Sequence, residues 1–446
     1  MLIVDRPPVI HFPRLPNFNY SSFLRYVVEE KEKKISPILA IFITVFIDMV
    51  GIGIIIPITP QLFLGHNNSF LPAEISQHAR NILYGFLGAT FPFFQFFGAP
   101  ILGTLADRYG RKKILQISLV GIFIGYVLFA IAIHLKLVWL LFFSRALPGF
   151  MGGNIAIALA ALADVSKPEE KAKNFGIIGM SFGLGFILGP VIGGVLSDPT
   201  VVSWFEASTP LWFTAFLTLV NMIYVYRQFP ITFIPGEARE PTLLAGIHNL
   251  QKAFKLVNLR IILLTIFLQA FGWSFFMQFN QVYLFEKFHF SNKQMGLVFA
   301  YIGLWVAITQ GLITRQVAKR LAPPIVLRFS LIGLAIAIMA VMLPDIPFWL
   351  YLVNPFVAIF QGLTQPNQIS IVSSLGTEEN QGEILGIQQS LQAFAFTIPP
   401  IIAGFLLNFD VRLPIFVSAL VTGLAWLVFF FLFKTSSNSK VEVAVE

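Results

Sequence analysis

The chain has 446 residues, of which 56% are hydrophobic and only 12% charged, and its formal net charge is +8. Soluble domains carry about 25% charged residues, so the composition excludes a water-soluble globular enzyme and indicates a polytopic membrane protein. There is no cysteine, which removes disulfide and thiol chemistry, and the six histidines make no metal-ligand pattern.

The first 36 residues are polar and mixed, and read as a cytoplasmic tail without a cleavable signal. A bilayer core needs an apolar run of about 20 residues. Such runs fall at 37–64, 82–106, 114–135, 137–164, 174–197 and 210–228. A mixed-charge linker, 229–258, follows, with an amphipathic stretch Leu243–Leu256 suited to the membrane surface. Six more runs lie at 259–285, 294–315, 325–343, 347–374, 383–408 and 413–434, and residues 435–446 form a second tail. Twelve spans put both termini on one side. With that side as the cytoplasm, 24 Lys and Arg lie inside and 5 outside, with Arg145 within a span. This bias orients the chain. It also gives the basic charge a membrane role, so nucleic acid is not an expected partner.

The two groups of six repeat one another. Gly189-Pro190-Val191-Ile192-Gly193-Gly194-Val195-Leu196 matches Pro399-Pro400-Ile401-Ile402-Ala403-Gly404-Phe405-Leu406, 210 residues later. An even number of spans per repeat makes the halves parallel, related by an axis along the membrane normal. The expected fold class is therefore an all-α membrane protein of twelve transmembrane helices in two parallel six-helix pseudo-repeats.

Asp48, in FIDMVGIGIIIPITP, is the one carboxylate well inside the hydrocarbon zone of the first half. A charge at a helix centre costs about 2.5–3.5 kcal/mol. Protonation removes most of that cost, and an acid whose protonation changes with access suits a proton-coupled carrier. Its alternative role is a structural partner for Arg145, the one base well inside a span. From the helical rise, the two differ in depth by on the order of 10 Å, and Arg145 could instead hold an anionic substrate.

Between the second and third spans, GTLADRYGRKKIL packs Asp107, Arg108, Arg111, Lys112 and Lys113 into seven residues, with Gly103 and Gly110 at its bends. Asp164 ends the fourth span near Arg111. A surface ion pair is worth about 0–1 kcal/mol, so its use would be as a conformational latch, present in the outward-facing state and broken in the inward-facing one. Asp107 would face the start of the eleventh span, near Gly382. In the fifth span Gly185, Gly189, Pro190, Gly193 and Gly194 give a flat face and a bend. The second half has no buried charge but several amides: Gln278 and Gln281, then Gln361, Gln365 and Gln368, then Gln388 and Gln392. Amides avoid lipid because lipid offers them no partner. With Asn154 of the fourth span they are candidates to line a substrate cavity. The 49 phenylalanines suit that cavity to amphipathic or aromatic compounds.

The loop Gly-x-Leu-Ala-Asp-Arg-x-Gly-Arg-Lys resembles the signature between helices 2 and 3 of the major facilitator superfamily. Residues 37–430 are similar to its drug:proton antiporters of the tetracycline-resistance type. That covers the first-helix segment, the second helix with Gln95 and Pro100, and Gly-Pro-x-x-Gly-Gly in the fifth. The resemblance implies Asp48 and Arg145 as the proton-coupling pair, and Asp107, Arg111 and Asp164 as the loop charge network. Where tetracycline exporters have a histidine in the eighth helix this chain has Val306, and 325–343 has no acid. A tetracycline–metal chelate is therefore not the expected substrate. The expectation is a monomeric, proton-coupled exporter of a small amphipathic compound in a bacterial inner membrane, without cofactor, metal or catalytic residues. A metabolite or siderophore transporter, or an uncoupled facilitator, is the alternative.

Overall fold

A computed structural model describes residues 37–65, 70–166, 171–229, 247–248, 259–375 and 381–433. The expected tails and most of the linker with its amphipathic stretch lie outside these residues. The described residues form twelve helical rods. They are α1 (Pro37–Leu64), α2 (Gln77–Tyr109), α3 (Arg111–Leu135), α4 (Val138–Phe150 and Asn154–Val165), α5 (Lys171–Leu196) and α6 (Thr209–Gln228). In the second half they are α7 (Arg260–Phe288), α8 (Asn292–Ala318), α9 (Pro323–Ala340), α10 (Pro347–Leu375), α11 (Gln381–Ala395 and Ile398–Leu406) and α12 (Leu413–Leu432). Ten rods are long and apolar enough to cross a bilayer as described; the others are α5, with an apolar run at Met180–Leu196, and the amide-bearing α10.

Local chemistry sets the ends. Ser291 caps α8 reciprocally with Gln294, its hydroxyl accepting from the Gln294 amide while its own amide donates to Gln294 Oε1. Proline opens α6, α9 and α12, where its missing N–H costs nothing. The α3–α4 junction, which hydropathy alone could fuse, is split by Lys136 in the left-handed region (φ 52°). Gly110 joins α2 to α3 at φ 95° and ψ 136°, a conformation open to glycine. Gly110→Ala is expected to cost about 1–3 kcal/mol, read as a lower thermal midpoint in detergent. Gly103→Ala should be near neutral, since an added Cβ meets no described atom there.

The interior is divided unevenly. At the face carrying Gly110, here called the basic face, two apolar clusters stay within their own halves. One joins Ile41, Leu115, Leu162 and Phe229; the other joins Ile262, Leu331, Val372 and Phe429. At the far face the apolar packing crosses between the halves: Ile54, Phe63, Tyr84 and Phe129 pack against Phe275, Phe279, Val282 and Ala403, and Ile56 packs against the second-half cluster around Phe276 and Tyr283. The halves therefore meet chiefly at the far face.

Glycines make this close approach possible. A Cβ on Gly85 of α2 would strike the Pro400 carbonyl and Gly404 of α11; one on Gly194 of α5 would strike Asn292 and Lys293 of α8. The fifth-helix glycines divide by face. Gly185, Gly189 and Gly193 abut Met49, Gly53 and Ile54 of α1, Gly194 meets α8, and Pro190 lies between, its ring against Gly53 of α1 and its carbonyl against Gly296 of α8.

Candidate functional site

Helix α4 breaks in the turn Met151-Gly152-Gly153, between Phe150 and Asn154. The break leaves a carbonyl of Gly152 that accepts from Gln95 Nε2 of α2 (3.2 Å). It also starts a new helical segment at Asn154, whose side chain is buried against α1. Asn154 Nδ2 donates to Asp48 Oδ2 at 2.5 Å. Asp48 is only 8% exposed and Asn154 only 3%. On the other side of the break, the Arg145 guanidinium carbon stands 4.9 Å from the centroid of the Phe91 ring, a cation–π arrangement.

These groups meet at one cavity of about 40 Å³, lined by Asp48, Phe91, Gln95, Tyr126, Arg145 and Asn154 among others. Asp48 and Arg145, which helix depth alone set on the order of 10 Å apart, thus reach a common space. Among the described residues they form no ion pair. Asp48 takes its hydrogen bond from Asn154, and Arg145 rests on an aromatic face. A cavity this size holds a few waters but not a drug-sized ligand, for which pockets run about 300–1,000 Å³. In this state it is a polar chamber around an acid and a base. Tyr126 was not legible as part of it: a tyrosine amid apolar residues looks like core until the tertiary structure turns it toward Asp48. Gln95 was visible only through family resemblance.

At the basic face Arg111 bridges two carboxylates. Its Nη1 is 3.1 Å from Asp107 Oδ1, and its Nε donates to Asp164 Oδ2 at 2.5 Å. Arg108 and Lys113 flank the Tyr109 ring at 5.5 and 5.8 Å. Lys112 is half-buried beside Arg111. All of this lies within the first half, and the Arg111–Asp164 pair is formed while the apolar cores of the two halves are separate at this face. The expected approach of Asp107 to Gly382 falls on side chains outside the described residues.

The second-half amides separate into different settings. Gln278 and Gln281 meet α2 at the far face, where Tyr84 OH donates to the Gln278 carbonyl (3.1 Å) and accepts from Gln281 Nε2 (2.7 Å). Gln361 Oε1 accepts from Gln269 Nε2 (3.1 Å), and Gln368 Nε2 lies 3.5 Å from Gln269 Oε1. Gln269 lies in the seventh span, apart from the sequence pattern that singled out its neighbours. Gln388 is buried, Gln392 half-buried and Gln365 exposed.

The Major Facilitator Superfamily model matches residues 41–262 and again 262–446. The chain belongs to this superfamily. The second match repeats the first, as expected of two homologous six-helix halves. Among its relatives, the tetracycline resistance protein, class E, of Escherichia coli is 29% identical over 379 residues, covering 83% of this chain and 87% of the relative. The mouse major facilitator superfamily domain-containing protein 10 is 26% identical over 416 residues, covering 82% and 86%. In structure the chain is similar to the human organic anion transporter MFSD10, with a TM-score of 0.67 at 22% identity over 88% of this chain and 98% of the other. It is also similar to the D-xylose-proton symporter, with a TM-score of 0.71 at 14% identity over 88% and 97%. At these identities the structural likenesses speak for the fold. The chain is a multi-pass membrane transporter of the superfamily.

Proposed function

We propose that this transporter exports a small amphipathic organic compound in exchange for protons, by rocking its two halves about a central site. The observation that carries the reading is Asp48: a buried carboxyl, held by Asn154, on a chamber it shares with Arg145. The tetracycline resistance proteins among its relatives support drug export. The positive-inside bias puts the basic face in the cytoplasm. The joint at the far face then corresponds to an inward-facing state, ready to load substrate and release protons inside. Asp48 carries the proton, and Arg145 keeps the chamber polar in both protonation states. The membrane potential contributes about 2.3 kcal/mol per elementary charge per 100 mV, enough for roughly 50-fold accumulation per net charge.

A second reading has its own support. Arg145 has no carboxylate partner among the described residues, so an anionic headgroup could take that place; a human structural neighbour is described as an organic anion transporter. The two readings differ in the sign of linkage. A substrate that competes with the proton must release it on binding. An anion beside Arg145 favours a protonated Asp48 and must take a proton up. Substrate-induced proton exchange in weakly buffered detergent, over a panel of lipophilic cations, neutral drugs and organic anions, decides between them. Release supports antiport; uptake assigns cotransport of an anion; binding with neither leaves a facilitator.

A further inference from the structure

Arg145 shares a chamber with Asp48, and the packing of α2 on α4 explains why the two do not pair. The helices touch backbone to backbone: a Cβ on Gly149 would lie 2.5 Å from the Phe91 carbonyl oxygen and 3.1 Å from Phe91 Cα. About one turn farther along both helices, Gln95 Nε2 donates to the Gly152 carbonyl (3.2 Å). Arg145 precedes Gly149 by four residues, so the two share a face of α4. Helical side chains lean toward their own N-terminus. From its place beside Gly149 the Phe91 ring therefore reaches the level of Arg145, where its centroid stands 4.9 Å from the guanidinium carbon. From α3, a Cβ on Gly125 would strike the Pro148 ring. The stretch of α4 that carries Arg145 is thus held by two helices.

The ring is a neutral partner. It attracts the cation through its quadrupole and does not cancel the charge. A carboxylate would act differently, because an opposite charge within about 4–6 Å favours the ionised acid by about 1–3 pH units. Paired with Arg145, Asp48 would stay ionised over the range in which a carrier must load and unload a proton. Its hydrogen bond comes instead from the uncharged Asn154. Of the side chains that line the chamber with Asp48, Tyr126 of α3 and Arg145 of α4 are the titratable or charged ones. Near Asp48, α5 meets α1 through Gly185 and Gly189 and α6 through Thr214, none of which titrates.

We propose that Phe91 is a positioning residue for proton exchange: its ring holds the Arg145 guanidinium off Asp48, leaving the carboxyl free to take up and give back a proton. The consequence for transport rests on Asp48 as the coupling acid of the exporter; the positioning is a property of the chamber itself.

Infrared titration of the full-length protein in detergent reads Asp48 directly, as the protonated-carboxyl band that is lost in Asp48→Asn. Phe91→Leu keeps apolar bulk but removes the ring face. It should lower the pH midpoint of that band by about one unit or more, a tenfold or greater fall in proton affinity. Phe91→Tyr keeps the face and should titrate as wild type. In an Arg145→Gln background Phe91→Leu should shift nothing further, because the guanidinium is gone. Phe91→Met repeats the measurement if the leucine variant does not fold. An unshifted midpoint in these variants would overturn the proposal, and so would a wild-type protein with no titrating Asp48 band. A tyrosine variant displaced as far as the leucine one, or a full shift without Arg145, would mark a packing effect and overturn it equally. Substrate-induced proton release on the same samples separates the two claims. A shifted band with no release by wild type keeps Phe91 as the residue that positions Arg145 and removes proton-coupled export.

Discussion

Asp48→Asn is expected to bind substrate, release no proton on binding and fail to concentrate substrate against a gradient. The variant should still fold. Asparagine has the shape of the protonated acid, and its carbonyl oxygen can accept from Asn154 Nδ2 as Asp48 Oδ2 does. What it cannot do is change charge. In proteoliposomes with a membrane potential of 100 mV, coupling of one net charge sustains about 50-fold accumulation, and the variant should fall to equilibration near unity. Counterflow exchange, which needs no net driving force, should persist at a measurable rate. Wild-type accumulation in the variant would remove Asp48 from coupling and leave it a structural partner of Asn154. Asn154→Ala makes a useful companion. It leaves the carboxyl in place but removes its donor, so coupling should survive with a displaced pH dependence.

The second large effect is steric. In Gly194→Leu the new Cβ would lie 2.5 Å from the Asn292 carbonyl oxygen and 3.0 Å from Lys293 Cα. Both neighbours are backbone and cannot rotate away. Helices α5 and α8 must separate at the far face, at an overpacking cost of about 1–3 kcal/mol, equivalent to roughly a 5- to 150-fold shift of the two-state ratio. The expected outcome is a molecule with its far face open, transport-deficient but folded, seen as a lengthened distance between labels at Thr200→Cys and Asp345→Cys. Gly183→Ala, on the same helix, would place its Cβ 3.5 Å from Ala307 Cβ, an ordinary contact, and should behave as wild type. Equal behaviour of the two variants would show that the glycine contact does not govern closure.

Much of the architecture was legible from the chain alone because the bilayer imposes a one-dimensional rule. Every spanning segment must satisfy its backbone internally and hide its polarity. Apolar run length therefore placed the helices within a few residues of their observed ends: 114–135 against Arg111–Leu135, and 347–374 against Pro347–Leu375. The rarity of charge in spans singled out Asp48 and Arg145 for the same reason, and the internal repeat announced two like halves.

What the sequence could not convey is which polar groups find one another, since hydrogen bonding depends on helix rotation, on breaks and on distances between segments remote in the chain. The Met151–Gly153 break brings Asn154, rather than Arg145, onto Asp48. Gln278 and Gln281, alike in pattern to the amides of α10, meet the phenol of Tyr84, 194 and 197 residues away. The loop charges, which the sequence already set near one another, meet through one guanidinium, with Arg111 bridging Asp107 and Asp164. Hydrophobicity, a sum along the chain, determined the twelve spans and singled out Asp48 and Arg145; the polar chamber and the joint between the halves came from the directed bonds that only the tertiary structure specifies.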